Sequence, residues 1–187
     1  IKTLKVTLFI VIIFVFRIIL GIQINFSHED YEQIYLIGLE NAFSDKWSYW
    51  GPDVVWSKTR LPGAMQGLLA GFPLKLTKNQ YSPIILSNTI SFLGLILLAF
   101  YAKKRFHKFS LYFLLALLLL YPFGLFNGVV LLNTAYLLFS GAILFIAVAE
   151  LFIYRNNWLW HPKLCFFALG FSLMFTFQLH LTWVMFI

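Results

Sequence analysis

Five runs of about 20 apolar residues dominate this chain, over about 4–24, 83–102, 109–126, 134–154 and 164–183. Each is long enough to cross the hydrocarbon core of a bilayer as a helix. Inside lipid every backbone N–H and C=O must find a partner within the segment, so runs of this length are helical. Composition closes off the alternatives: 61% of residues are hydrophobic and 11% charged, against about 45–50% and 25% in an ordinary soluble domain. A soluble domain of this size cannot hide that much hydrocarbon, and disordered chains are polar and highly charged. The expected fold is an all-α membrane protein, a polytopic helix bundle of about five spans.

The charges orient the spans. Lys2, Lys5, Lys103, Lys104, Arg105, Lys108, Arg155 and Lys163, eight of the fourteen basic residues, fall in short segments at one end of the spans. The positive-inside rule makes that end cytoplasmic. The net charge of +7 then reflects loops facing anionic lipid, and nucleic acid is not an expected partner. Six of the seven acids, Glu29, Asp30, Glu32, Glu40, Asp45 and Asp53, lie in the first external loop, 25–82, leaving only Glu150 elsewhere. Water exposure alone does not explain this, because the other loops hold no acid. The single cysteine, Cys165, permits no intrachain disulfide. The chain opens at Ile1 and stops within an apolar stretch, so it is expected to be the N-terminal portion of a longer protein.

A loop of this length is too long for a passive connector. Tyr31, Ile34, Tyr35, Leu39 and Ala42 recur at helical spacing from Glu29 onward, with Ser27 as a candidate cap. A second helix is expected after Pro62, with Met65, Leu68, Leu69, Phe72 and Leu76 as its apolar positions, and Gly63, Gly67 and Gly71 as a small-residue packing face. Between the two, Trp47, Tyr49, Trp50 and Trp56 surround the turn Gly51-Pro52-Asp53. Two helices lying along the membrane surface fit this pattern. Glu29 and Asp30 follow the first span directly, and a carboxylate at the lipid–water boundary is partly desolvated and can be tuned as a base. The plainer reading is an acidic helix start satisfying its dipole. Arg60, Lys58 and His28 are candidates to neutralise a phosphate leaving group, arginine being the natural bidentate partner.

The stretches His28-Glu29-Asp30-Tyr31-Glu32-Gln33, Tyr49-Trp50-Gly51-Pro52-Asp53 and Arg60-Leu61-Pro62-Gly63-Ala64-Met65-Gln66-Gly67, in this order after a first span, resemble the GT-C superfamily of polytopic membrane glycosyltransferases. The likeness is to the family-39-like bacterial branch, related to the protein mannosyltransferases and the lipid A aminoarabinose transferase. Leu132-Asn133-Thr134-Ala135-Tyr136 and Gln178-Leu179-His180-Leu181-Thr182 are similar to later stretches of that branch. The resemblance implies an inverting hexosyl or pentosyl transferase in the bacterial inner (plasma) membrane, with its active site facing the periplasm or exterior and a role in cell-envelope glycosylation. It implies a polyprenyl-phosphate-linked sugar donor and a lipid, glycan or protein acceptor. Carried over residue by residue, Asp30 is the catalytic base, with Glu29 its close alternative. Gln178 and His180, near the external end of the fifth run, and Tyr31 are candidates to line the sugar-phosphate pocket with Arg60 and Lys58, the plainer reading of His180 being a packing residue. A leaving phosphate is stabilised either by basic side chains or by a divalent cation, magnesium or manganese. Asp53 is the weak candidate metal ligand. Some relatives carry a second functional acid in a later external loop; the link 127–133 has only amides.

Arg17 is the one charge deep in the first span, and an intramembrane cation defaults to a functional hypothesis, set against snorkelling or pairing with a polar group on another helix. No paired histidines suggest zinc, and His107 and His161 lie in the basic links. Two other classes of function remain on this reading. A transporter or flippase of a lipid-linked substrate predicts midspan charge and broken helices. A non-catalytic membrane assembly protein needs no acid at the external boundary.

Overall fold

The computed structural model describes residues 2–24, 29–44, 50–54, 59–62, 65–131 and 133–179. Within them the chain is a helix bundle with one two-stranded hairpin. Helix α1 spans Lys2–Ile24, α2 Glu29–Phe43, α3 Met65–Thr77, α4 Ser82–Arg105, α5 Leu111–Leu120, α6 Pro122–Val129, α7 Asn133–Val148 and α8 Pro162–Leu179. Strands β1, Trp50–Val54, and β2, Thr59–Pro62, pair antiparallel between α2 and α3.

Four described helices are long and apolar enough to cross a membrane, over Leu4–Ile24, Ser82–Arg105, Thr134–Ile153 and Pro162–Leu179. They match four of the five expected spans to within a few residues. The fifth passage, expected over 109–126 with the stretch from Tyr121-Pro122 onward marking a turn or broken helix, is made by two short helices. At 1.5 Å per residue α5 reaches only about 15 Å, half the hydrocarbon thickness. Pro122 causes the break: it has no N–H to continue the ladder, and it drives the preceding residue out of the helical region. Tyr121 accordingly sits at φ −56°, ψ 125°, and α6 restarts with Leu125 N–H donating to Tyr121 O at 2.7 Å. The chain must nevertheless pass from end to end here, because α4 finishes and α7 begins at opposite ends of the bundle.

Helix α4 is the axis of the bundle, in contact with α1, α3, α5, α6 and α7. Its buried positions include Ser87, Asn88, Ser91, Gly94 and Ala99, which let neighbouring backbones approach closely. At Gly94 an added Cβ would lie 2.5 Å from Phe139 Cα, so the α4–α7 crossing depends on that hydrogen. Helix α1 is peripheral, presenting Leu8, Ile12, Phe16 and Ile19 outward. It docks through Ile13, Phe9 and Phe14 onto Phe92, Leu95, Leu115 and Leu119. A tight turn joins α3 to α4: Asn79 Oδ1 accepts from Tyr81 N–H at 2.9 Å, and Ser82 Oγ donates to Asn79 O at 2.7 Å. Pro83 then occupies the first turn of α4, where its missing N–H is not needed.

The amphipathic pair read from the loop forms, with one refinement. Helix α2 buries Tyr31, Ile34 and Ala42 as its spacing predicts. On α3, however, Phe72 and Leu76 are exposed, and Gly67, Ala70 and Gly71 meet α2. An added Cβ on Gly38 would sit 2.7 Å from Ala70 Cβ. The small residues decide this interface because helices in lipid gain more from close backbone approach than from burying large apolar groups.

Candidate functional site

The module of α2, α3 and the hairpin sits on the end of the bundle opposite the basic links. Tyr31, Ile34 and Ala70 pack on Ile84 at the start of α4 and on Leu131 beyond α6, joined by Ile22, Tyr35 and Tyr81. Met65 and Leu69 of α3 pack on Tyr136, Phe175 and Leu179 of α7 and α8. Strand β1 touches α2 and α3, and β2 touches α8. The last turn of α1, the first turn of α2, the hairpin and the last turn of α8 therefore meet at one end.

Glu29 and Asp30 open α2, five residues beyond the last residue of α1. Tyr31 follows them, 6% exposed and stacked on Tyr35 with ring centroids 5.4 Å apart. Burial, reinforced by the neighbouring Tyr35 and Tyr81 hydroxyls, pushes the Tyr31 pKa up to about 12, so it remains a neutral phenol at any physiological pH. Arg60 lies on β2, exposed, as the register partner of Asp53 on β1. Among the described residues no three His, Cys, Asp or Glu side chains gather into a metal-binding group. Gln178 is half-buried in the last turn of α8. His28, Lys58 and His180 lie outside the described residues, as do Ser27, Trp47, Tyr49 and Trp56.

Sequence reasoning passed over several buried polar groups near this end. Among the described residues Gln66, at the start of α3 and 2% exposed, has no partner for either amide atom, and the buried Tyr136 hydroxyl has none. Below it, Thr176 Oγ1 donates to Ser140 Oγ at 3.1 Å, and Ser172 is fully buried nearby on α8. Tyr136 and Ser140, like Ser172 and Thr176, are four residues apart, so each pair marks one helix face. That spacing was the available signal.

At mid-depth Arg17 is fully buried. Its Nη1 donates to Leu119 O at 3.0 Å, a carbonyl in the last turn of α5 that the break at Pro122 leaves without a helical donor. Its Nη2 donates to Ser91 Oγ at 3.2 Å. Ser91 Oγ in turn donates to Gly128 O at 2.8 Å, and Asn88 Nδ2 donates to Val129 O at 3.0 Å. One guanidinium thus caps α5 across the bundle while α4 holds the end of α6. A recess of about 340 Å³ opens beside the break, lined by Leu95, Leu117, Leu118, Tyr121, Gly124 and Leu138.

At the basic end Glu150 is fully buried and saturated. Its Oε1 accepts from Tyr101 Oη at 2.7 Å, from Arg105 Nε at 3.1 Å and from Arg105 Nη2. Its Oε2 accepts from Leu159 N–H at 2.7 Å and Trp160 N–H at 3.2 Å. A single π-helical turn, Ala149–Ile153, ends α7 and carries this carboxylate, a local widening of the kind that often re-aims a side chain. Arg105 also lies over the Tyr154 ring at 3.9 Å.

Comparison with protein-family models, with curated proteins and with solved structures finds no match to this chain. What is shown is therefore an integral-membrane helix bundle, with an amphipathic helical module capping one end and a buried ion pair closing the other.

Proposed function

We propose that this bundle is the membrane domain of an inverting glycosyltransferase, which moves a sugar from a polyprenyl-phosphate carrier to an acceptor hydroxyl. Asp30 is the base and Glu29 its alternative. The observation that carries the reading is the acidic pair opening α2, five residues past the first span, on a module packed against the bundle's end. A lipid-borne phosphate and a water-borne acceptor meet at that depth. The carboxylate takes the acceptor's proton, and the oxygen attacks the anomeric carbon from the face opposite the leaving group. The bond from that carbon to the phosphate oxygen breaks, and polyprenyl phosphate departs with the electron pair. General-base assistance of this kind contributes about 10²–10⁴-fold. Arg60, on the adjacent hairpin, and a divalent cation are the candidate stabilisers of the departing charge. The reading puts this end on the exterior face of a bacterial plasma membrane, in keeping with the basic opposite end.

A second reading has its own observation. Buried Arg17 at a broken helix is the arrangement expected of a transporter or flippase for a lipid-linked substrate.

The test of the first reading is Asp30→Asn, with Glu29→Gln beside it, in the full chain. Loss of sugar transfer with unchanged membrane insertion and thermal stability is the expected result. Normal transfer by both variants contradicts it.

A further inference from the structure

The basic end carries Lys103, Lys104, Arg105, Lys108, Arg155 and Lys163 against a single carboxylate, Glu150. That carboxylate is committed, each oxygen being filled by Tyr101 and Arg105 or by the Leu159 and Trp160 amides. Lys103 Nζ is occupied as well, donating to His107 O at 2.8 Å and Phe109 O at 2.6 Å. Lys104 is different. It is exposed, has no hydrogen-bond or ion-pair partner among the described residues, and stands at the rim of a recess of about 150 Å³. Leu97, Phe100, Tyr101, Leu159 and Trp160 complete the wall.

The face of α4 below that recess is as informative as its rim. Leu93, Leu97, Phe100 and Lys104 follow one another at intervals of four, three and four residues, a single stripe along the helix. Leu93 is 53% and Phe100 40% exposed, so the stripe is open to the bilayer. Apolar groups over hydrocarbon depth, ending in one unneutralised ammonium beside an indole, match a diacyl phospholipid end to end: chain on Leu93, Leu97 and Phe100, phosphate on Lys104. A headgroup with a net negative charge is favoured because the remaining cations at this end have no carboxylate left to balance them.

We propose that this recess is a specific site for an anionic glycerophospholipid, its phosphodiester paired with Lys104 and its acyl chain lying along α4. The proposal is independent of the transferase reading, since the site is at the opposite end of the bundle.

The full chain in nanodiscs of mixed phosphatidylglycerol and phosphatidylcholine, released for native mass spectrometry, tests it. The expected result is preferential retention of phosphatidylglycerol, reduced about fivefold by Lys104→Gln, the loss of one lysine–headgroup contact of about 1 kcal/mol. Lys104→Arg should keep the preference, and Phe100→Ala should weaken retention without reversing the headgroup order. Lys75→Gln, on an exposed lysine of α3, should leave it unchanged. Equal retention of the two lipids overturns the proposal. So does an unaltered ratio in Lys104→Gln, or saturation of the site by inorganic phosphate or an acidic peptide in phosphatidylcholine alone.

Discussion

Replacing Glu150 by leucine tests the packing of the basic end quantitatively. The carboxylate is fully buried, and the Arg105 side chain paired with it is 6% exposed. Taking either away leaves its partner as a desolvated charge, and breaking such a pair costs about 3–5 kcal/mol. The two single losses are not expected to be equal. Without Glu150, Arg105 keeps the Asn157 carbonyl at 2.8 Å and the Tyr154 ring, but the Tyr101 hydroxyl loses its acceptor and the Leu159 and Trp160 amides lose theirs. Without Arg105, Glu150 keeps those three donors. Glu150→Leu is therefore the more damaging single change, and Arg105→Leu the milder. The double variant removes both charges together, so its loss should fall short of the sum of the singles by about 2 kcal/mol or more. Reversible unfolding in mixed micelles, followed by tryptophan fluorescence, measures all three. Losses that add to within about 0.5 kcal/mol would refute the reasoning, since independent sites behave that way.

Four further outcomes follow from the same geometry. Gly128→Ala places a Cβ against Arg17 Nη2, which Leu119 and Ser91 hold in place; overpacking of that kind costs about 1–3 kcal/mol. Gly141→Ala, with open space around it, should be neutral or slightly stabilising in the same micelle-unfolding assay. Gly38→Val should separate α2 from α3 and make the module more susceptible to protease, while leaving the spans inserted. Tyr31 titrates near 12 when folded and near the ordinary 10.0 when unfolded, so the folded state binds its proton more tightly. Stability should be flat below about pH 10 and fall between about pH 10 and 12. Tyr31→Phe removes that component, and its absorbance difference from the parent near 295 nm shows the late-titrating phenol.

Long apolar runs were legible because lipid leaves the backbone a single solution. The α2 helix was legible because Tyr31, Ile34, Tyr35 and Ala42 keep one period. Other features depend on partners distant in the chain. Pro122 announced a break, but not that Arg17, more than a hundred residues earlier, would donate to the carbonyl freed there. Glu150 looked like a stray acid because Tyr101, Arg105 and the Trp160 amide meet it only once α4 and α7 are packed. The hairpin of β1 and β2 was hidden behind its turn residues, since Trp50–Val54 contains both Gly51 and Pro52, which weaken any strand signal. On α3 the expected apolar positions Phe72 and Leu76 stay exposed, while Gly67 and Gly71, expected as a packing face, settle which face is buried. Of the candidate site, the acidic start of α2 could be read directly and Tyr136 only through its four-residue spacing from Ser140; Gln66 could not, because a lone buried amide leaves no periodic trace.

The proposed transferase would perform its chemistry on a lipid-linked sugar at the acidic end of this bundle. Its most direct measurement is the fate of a radiolabelled prenyl-phosphate sugar in membranes prepared with and without the full chain. The account predicts that the label leaves the prenyl phosphate and appears on an acceptor only where the protein is present, and not with Asp30→Asn. Label that crosses the membrane still attached to its carrier, equally in both forms, would contradict it and make Arg17 and the broken α5–α6 passage the functional centre.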